Sequence, residues 1–370
     1  MLAALATTNL AAGLWMALTP RQASEVGRVA DWAGLWIHGI DPYATTSLAV
    51  DYPPWALVVL SPLQGIPAHV QGAVWAVFNL GLVALLTWRL TRVSAESPAH
   101  RTNLLLLLAS MACLRSLGQF SLLSLALGIL GAFAGSPVVG GVLIGLALMK
   151  PQIGGCVLLW LLFERDWKRA AIAVAVPIVL TVVFMAVVRV DPMTLISEYR
   201  AVIGALYASP LDLAGHSELR PWLWRLGAGE TLNVWLTAIT GIVLLAPAVT
   251  AAFRRRVTTV DATLELLALC GVTSLLTVRH LSYDFILLLP AVVAWRVPPF
   301  AARDHAPRWL MLGLATLLIV AIPSWTRLLL GLGAPAWLGA FTQTDRVMCL
   351  AAWAVLSWRL NARAPRAETP

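Results

Sequence analysis

Several residues that could carry chemistry stand at the ends of long apolar runs. Lys150 lies between two such runs, and Arg279, His280 and Asp284 lie within six residues between two others. Ionisable groups at membrane depth are costly and are therefore candidates for function. A lysine beside free backbone N–H groups at a helix start suits a phosphate. The alternative is a lysine that only extends its charge to the membrane interface.

A second set of candidates is acidic and lies within residues 20–69. Glu25 falls in the first turn of a predicted helix, where the helix dipole stabilises a carboxylate. Arg28 and Asp31 are three residues apart and could pair with each other. Asp41 and Asp51 follow. A carboxylate here could act as a general base toward a hydroxyl, and the alternative for Glu25 is a capping charge.

Aromatic and amide side chains accompany these charges. Tyr43 and Tyr52, with Trp32, Trp36 and Trp55, predict either an aromatic belt at the membrane interface or a stacking surface for a sugar ring. Gln119 and Gln152 lie at turns between apolar runs. The candidate catalytic residues are Glu25 and Asp51. The candidate substrate-binding residues are Asp31, Asp41, Tyr43, Tyr52, Arg115, Gln119, Lys150, Gln152, Arg279, His280 and Asp284.

The composition requires a membrane around most of the chain. Hydrophobic residues make up 59% of the 370 and charged residues only 12%, against about 25% charged residues in soluble domains. The net charge of +8 does not indicate nucleic acid, because Lys and Arg lie in short gaps between apolar runs. The four cysteines have no CxxC spacing. They predict small core residues, not a metal site or disulfides.

The apolar runs predict an all-α, polytopic fold of about 12 membrane-spanning helices in a single domain, 1–370. A span needs about 20 residues, so the shorter runs are expected to borrow flanking residues. The first run resembles a membrane anchor more than a cleaved signal peptide, because no basic segment precedes it. The runs are 2–19, 70–88, 102–114, 120–134, 137–149, 151–163, 170–188, 231–252, 262–277, 282–297, 309–323 and 347–360.

Positive charge sets the predicted orientation. If both termini are inside, the arginine-rich connections such as 89–101 and 254–256 are cytoplasmic, as the positive-inside rule favours. The long loops 20–69 and 189–230 are then outside. The apolar segment 53–63 would reverse this order if it spanned, so we interpret it as a re-entrant or juxtamembrane helix.

The first outer loop is predicted to begin with a helix. It starts after Ser24, a plausible N-cap, and stops at Gly39. Val26, Ala30, Ala33 and Ile37 form an apolar stripe on it, which predicts a helix lying in the interface plane.

Five segments, in this order, resemble glycosyltransferase family 87, which are integral membrane enzymes of the GT-C fold. They are SEVGRVADWAGLWIHGIDPY (24–43), DYPPWALVVLSPL (51–63), GQFSLLSLALGILG (118–131), GVLIGLALMKPQIG (141–154) and RHLSYDFILLLPAV (279–292). The resemblance implies transfer of a sugar, typically mannose or a related residue, from a polyprenyl-phosphate donor to a cell-envelope glycan or glycolipid. It places this reaction on the extracytoplasmic side of the plasma membrane.

The resemblance also implies roles for the candidate residues. An acidic residue of the first outer loop is the expected base, and counting back from Gly39 and Tyr43 places Glu25 there. Asp31, Asp41 and Asp51 are the alternatives. A phosphate leaving group needs cationic partners, for which Lys150, Arg279, Arg115 and protonated His280 are expected. No cofactor is implied, and a divalent cation remains compatible with the site.

A different class of function uses the same charges. A secondary transporter or lipid flippase could bind a substrate or ion at the outer helix ends. Such a protein should place polar residues along a path to both faces, whereas the inner half of this chain lacks them. The sequence therefore favours the enzyme. A non-catalytic scaffold would leave Lys150 and Asp284 without explanation.

Overall fold

The structure is a computed structural model, and every regular element in its described residues is helical. It describes residues 25–45, 50–93, 119–208, 218–220, 229–254, 260–280, 282–294 and 344–362, with eight isolated positions besides. Most of the predicted first run, and all of the runs 102–114 and 309–323, lie outside the described residues.

The described helices follow the predicted apolar runs closely. In chain order they are α1 (Glu25–Ile37), α2 (Pro42–Thr45), α3 (Pro54–Leu60), a 3-10 helix (Ser61–Gly65), α4 (Ala68–Val93), α5 (Ser121–Ala132), α6 (Pro137–Ala147), α7 (Pro151–Glu164), α8 (Trp167–Val188), α9 (Pro192–Ala208), α10 (Glu230–Phe253), α11 (Val260–Thr277), a second 3-10 helix (Ser282–Leu288), α12 (Leu289–Ala294) and α13 (Thr344–Ala362).

Four of the described helices are long and apolar enough to cross a membrane. They are α4, α8, α10 and α11. Apolar side chains on α8 and α10 point outward, such as Ile178 at 58% exposure and Ile242 at 71%. Only lipid satisfies surfaces of this kind along whole helices. The protein is therefore membrane-embedded.

Three predicted spans are shorter in the structure than the bilayer is thick. Helices α5, α6 and α7 have 12, 11 and 14 residues. At 1.5 Å per residue they reach about 16–21 Å, against about 30 Å of hydrocarbon. Turns at 133–136 and 148–150 separate them. They do not extend into flanking residues as expected, so the predicted count of 12 spans rests on helices that do not span by length.

Helix α1 has the predicted limits but a different environment. It ends before Gly39, whose φ of 74° lies in the left-handed region that glycine adopts readily. Val26, Ala30 and Ala33 are fully buried, whereas Ile37 is 46% exposed, so the predicted stripe is wrong at Ile37. The buried face packs on α3, the first 3-10 helix, α4 and α8. Protein covers this face, in place of the predicted membrane interface.

The segment 53–63 forms a short helix followed by a 3-10 turn. Helix α3 has seven residues, with Pro53 as its N-cap and Pro54 as its first residue. Its length of about 10 Å at 1.5 Å per residue is well below a span. It packs on α1 and α8, which fits the re-entrant or juxtamembrane interpretation.

The two long loops that are predicted to lie outside, 20–69 and 189–230, pack against each other; the names first and second outer loop refer to this prediction. The second contains α9, a helix that the apolar runs did not predict. The ring of Tyr199 on α9 meets the ring of Tyr43 edge-on, with centroids 5.7 Å apart. Leu195 is buried in the same cluster as Trp36 and Phe184. This cluster fixes the first outer loop over the end of α8.

Candidate functional site

A buried lysine–aspartate ion pair connects three helical segments. Lys150 is 4% exposed and Asp284 is 2% exposed. The Lys150 ammonium donates to Asp284 Oδ1 at 2.9 Å and to the Ser121 hydroxyl at 2.6 Å. Ser121 donates in turn to Asp284 Oδ1 at 2.6 Å. Lys150 directly precedes α7 and Ser121 begins α5, so the pair joins two helix starts to the segment after α11.

His280 extends this network on the other side of the carboxylate. Its Nδ1 lies 3.1 Å from Asp284 Oδ2, and its Nε2 lies 2.9 Å from the Ser274 hydroxyl. Ser274 donates to the backbone carbonyl of Gln152 at 2.9 Å. Asp284 is therefore the centre of a hydrogen-bonded chain from α5 and α7 to α11. Lys150 and His280, expected to share one site, bind opposite oxygens of the same carboxylate.

Glu25 and Asp51, two of the acidic candidates of the first outer loop, lie within electrostatic range of Lys150. The side chain of Glu25 is 9% exposed and forms an ion pair with Arg28. Arg28 and Asp31 could have paired by their spacing, but the guanidinium of Arg28 binds Glu25, and Asp31 is exposed. Burial raises the pKa of Glu25, the negative charge of Asp51 raises it further, and the charges of Arg28 and Lys150 lower it.

Asp51 is an exposed residue whose carboxyl is influenced by several of the same charges. Its carboxyl is accessible, yet neighbouring protein restricts its hydration and so raises its pKa, while Arg28, Lys150 and Arg279 act to lower it. The charges of Arg28 and Lys150 thus act on both carboxyls, the charge of Asp51 acts on Glu25, and that of Arg279 acts on Asp51. This is the arrangement expected of a single site, and the roles of its residues stay predictions.

The aromatic candidates form an internal cluster. The Tyr43 hydroxyl donates to the Tyr52 carbonyl at 2.6 Å. Trp36 stacks on Phe184 with centroids 6.2 Å apart, and Tyr52 meets Phe120 edge-on at 5.5 Å. Tyr43 is 7% exposed and Tyr52 is 5% exposed. These rings are neither an exposed interfacial belt nor an open sugar-stacking surface. They hold the loop that carries Asp51.

The remaining candidates have separate environments. Asp41 accepts a hydrogen bond from the backbone N–H of Tyr43 at 2.9 Å at the start of α2. Gln119 lies two residues before Ser121, the first residue of α5. Its Oε1 is buried without a hydrogen-bond partner among the described residues. The backbone of Gln152 takes part in the network, as described above. Arg279 is half-buried and lines a cavity between α10 and α11. Arg115 lies outside the described residues.

Two participants were missing from the candidate set, and a third, Arg28, was considered only as a partner of Asp31. Ser121 and Ser274 have polar roles inside apolar runs, and Arg28 is the partner of Glu25. Ser121 follows Gln119 at a turn, a signal that could have found it. Nothing in the sequence around Ser274 separates it from an ordinary helix serine. Within the described residues, no group of three or more His, Cys, Asp or Glu side chains could hold a metal ion.

Comparison with known proteins bears on this geometry. The sequence model of glycosyltransferase family 87 matches residues 51–278, more than half of the 370-residue chain. The comparison with curated proteins gave no match. The matched part begins at Asp51 and includes Lys150. The matched part ends directly before Arg279, and Glu25 lies before its first residue.

Proposed function

Because this chain belongs to glycosyltransferase family 87, we propose that it transfers mannose or a similar sugar from a polyprenyl-phosphate donor to a cell-envelope glycan or glycolipid. Membership makes it a membrane glycosyltransferase, and the donor, the sugar and the acceptor belong to the proposal. The observation that carries it is the electrostatic influence of Asp51 and Lys150 on Glu25, and of Lys150 and Arg279 on Asp51.

The carboxyls supply the base that the transfer needs. In an inverting transfer the acceptor hydroxyl gives its proton to a carboxylate while its oxygen bonds to the anomeric carbon. The bond from that carbon to the phosphate oxygen breaks, and the electron pair leaves with the phosphate. Glu25, oriented by Arg28, is the proposed base, and Asp51 is the alternative. Asp51 is the more accessible of the two to an acceptor.

The cations divide into two roles. The leaving phosphate gains negative charge, which a preorganised cation stabilises. Arg279 is half-buried at a cavity and is the proposed phosphate ligand. The ammonium group of Lys150 already donates hydrogen bonds to Asp284 and Ser121. We therefore assign Lys150 and His280 to positioning the segment that carries Arg279, with the charge of Lys150 acting on the site at longer range.

The proposed location follows from charge and from the donor. The proposed location is the plasma membrane. The arginine-rich connections of the chain are expected to face the cytoplasm, which favours a site on the extracytoplasmic face. A lipid-linked donor also gives a reason for a sugar transferase to be embedded in the membrane. The proposal treats residues 1–370 as one domain and needs no cofactor. A divalent cation remains compatible with it.

The direct test is release of polyprenyl phosphate. Purified protein in detergent would be incubated with a panel of polyprenyl-phosphate sugars and an envelope glycolipid extract. We expect one sugar to give acceptor-dependent release, and the Glu25→Gln, Asp51→Asn double variant to give none. Absence of release with every member of the panel, together with transfer from a nucleotide sugar, would contradict the proposal.

A further inference from the structure

Helix α6 stops well before the end of α8, the spanning helix on which it packs. Gly141 of α6 lies against Ile172 of α8. Four residues later Gly145 lies against Val176, so the two helices run parallel. Beyond Val176, α8 continues to Val188, about 18 Å at 1.5 Å per residue. Helix α6 ends two residues after Gly145. Its carbonyl end therefore lies beside the middle of a membrane-spanning helix.

The carbonyl groups at this end of α6 take partners from two neighbouring helices. The Ala147 carbonyl accepts from the Ser124 hydroxyl of α5 at 2.6 Å. The Leu148 carbonyl accepts from the indole N–H of Trp55, on α3, at 2.9 Å. Every helix end leaves carbonyls of this kind over, and the membrane interior has no water to satisfy them. Trp55 therefore meets a requirement that the shortness of α6 creates.

The first turn of α3 lies against the turn between α6 and α7. Helix α3 packs on α8. Its Leu57 belongs to the same buried cluster as Phe184 of α8 and as Met149, the residue before Lys150. Leu57 and Met149 are both fully buried. The bond from Trp55 to the end of α6 is thus part of a close contact between the first outer loop and the turn that carries Lys150.

The segment that leads into α3 carries Asp51 and is held at two points. Tyr52 meets Phe120 at the start of α5 edge-on, and Trp55 is bonded to the end of α6 just before Lys150. A ring contact tolerates small shifts, whereas a hydrogen bond has a defined length and direction. Lys150 is one of the cations whose charge lowers the pKa of Asp51. The separation of Asp51 from Lys150 therefore depends on the indole of Trp55.

We propose that Trp55 is a positioning residue of the transfer site, and that its indole N–H sets the separation of Asp51 from Lys150. The sequence predicted an interfacial anchor or a sugar-stacking ring for this tryptophan. An interfacial anchor keeps its N–H at the wet side of the membrane, whereas here the N–H binds a helix carbonyl. The inference rests on the proposed function, in which Asp51 is a candidate base.

The first test measures the ionisation of Asp51 without any substrate. A water-soluble carbodiimide reacts with the protonated carboxyl, so labelling of Asp51 against pH, read by mass spectrometry, gives its titration midpoint. Trp55→Phe keeps an aromatic ring and removes the N–H donor. Arg28 and Arg279, the other cations that act on Asp51, are present in every variant. We expect the midpoint to rise by up to about one pH unit, because Lys150 then acts from farther away. At close range an opposite charge lowers a carboxyl pKa by about 1–3 units.

The matched control is Trp353→Phe. Trp353 is also half-buried, and its indole N–H donates to the Leu244 carbonyl at 2.8 Å, which joins α13 to α10. The same chemical change is thus made at another helix contact and should leave the Asp51 midpoint unchanged. If Trp55→Phe does not fold, Trp55 is replaced by benzothienylalanine, in which sulfur takes the place of the N–H at nearly the same size. An unchanged midpoint without the Trp55 donor, or an equal rise in Trp353→Phe, would overturn the inference.

Kinetics with the donor show whether this separation matters for transfer. For Trp55→Phe we expect kcat to fall roughly tenfold and KM for the donor to change less than about twofold, because a misplacement of about 1 Å costs up to about 100-fold in rate. Trp353→Phe should keep the wild-type kcat. A wild-type kcat in Trp55→Phe would make the indole bond a structural contact only and would overturn the inference. A wild type that transfers no sugar from any polyprenyl phosphate, yet shows the shifted Asp51 midpoint on loss of the Trp55 donor, would contradict the proposed function alone.

Discussion

The Asp284 carboxylate is satisfied by three side chains at once. It accepts from Lys150 and Ser121 on one oxygen, and its other oxygen lies 3.1 Å from the His280 ring. A buried ion pair is stable only when such further hydrogen bonds satisfy it. The network therefore fixes the position of the chain between α11 and α12, and with it the neighbouring Arg279.

Lys150 should consequently be a stability determinant. Lys150→Met leaves the Asp284 charge buried without its cation, and the loss of one partner of such a pair costs about 3–5 kcal/mol. Lys150→Met combined with Asp284→Asn removes both charges and should recover most of that loss. Thermal unfolding in detergent, measured for both single variants and the double variant, gives the coupling. Additive effects would mean that the two side chains do not depend on each other.

Glu25 and Asp51 make separable predictions for catalysis. Glu25→Gln can still cap α1 but cannot accept a proton, so loss of a general base should lower kcat by about 10²–10⁴-fold. Asp51→Asn should then have the smaller effect. Burial raises the pKa of both carboxyls, so the wild-type rate should fall with acidification at a higher pH than an ordinary carboxyl would give. The kcat of these variants, measured side by side with Asp31→Asn and Asp41→Asn as controls, and the pH profile of the wild type test these expectations. A nearly active Glu25→Gln with an inactive Asp51→Asn would assign the base to Asp51.

At the scale of elements, the sequence predicts the positions of the described helices well and their ability to span the membrane less well. The limits of α1, α8 and α10 follow from apolar periodicity and from stop signals such as Gly39. The runs 120–134, 137–149 and 151–163 match α5, α6 and α7 within two residues at each end, whereas the expected extension into flanking residues is wrong for these three helices. Helix α9 was missed because its pattern is not that of a span. Which residues meet across helices, such as Ser274 of α11 and Gln152 of α7, depends on packing that periodicity does not contain.

Close packing of α6 on α8 depends on glycines. A Cβ at Gly145 would lie 2.5 Å from Val176 Cβ and 2.9 Å from the Ala173 carbonyl oxygen. Small residues let membrane helices approach in this way, where van der Waals contact replaces the hydrophobic effect. The interface therefore has no room for a methyl group at this position.

Gly145→Ala should destabilise the protein by about 1–3 kcal/mol, the usual cost of overpacking. Gly155→Ala is the matched control, because Gly155 is also inside a helix and its added Cβ would meet nothing within 4 Å. The control should be neutral or more stable by about 0.5–1 kcal/mol, since alanine is the better helix former. Thermal unfolding of both variants in the same detergent is the measurement. Equal melting temperatures would show that α6 and α8 can separate without cost.

At the scale of the whole molecule, the two outer loops and the buried network lie at the same helix ends. Tyr43 and Tyr199 join the loops, and Glu25 and Asp51 interact with Lys150 across them. The proximity of Glu25, Asp51 and Lys150 was predictable, because charges gather at the same alternate turns of the sequence. The pairing of Glu25 with Arg28 and the burial of the tyrosines were not, since both depend on how the first outer loop folds back on α8.

Sidedness is the remaining prediction for the whole chain. A cysteine at Ala44, an exposed residue of α2, should react with a membrane-impermeant thiol reagent in intact cells. A cysteine at Ala95, in the arginine-rich connection 89–101, should react only after the cells are permeabilised. The wild type is the control for native thiols, of which Cys156, Cys270 and Cys349 are buried. The reverse pattern would place the carboxyls in the cytoplasm. The donor sugar would then have to be presented from the inside, and the arginine-rich connections would lie against the positive-inside rule.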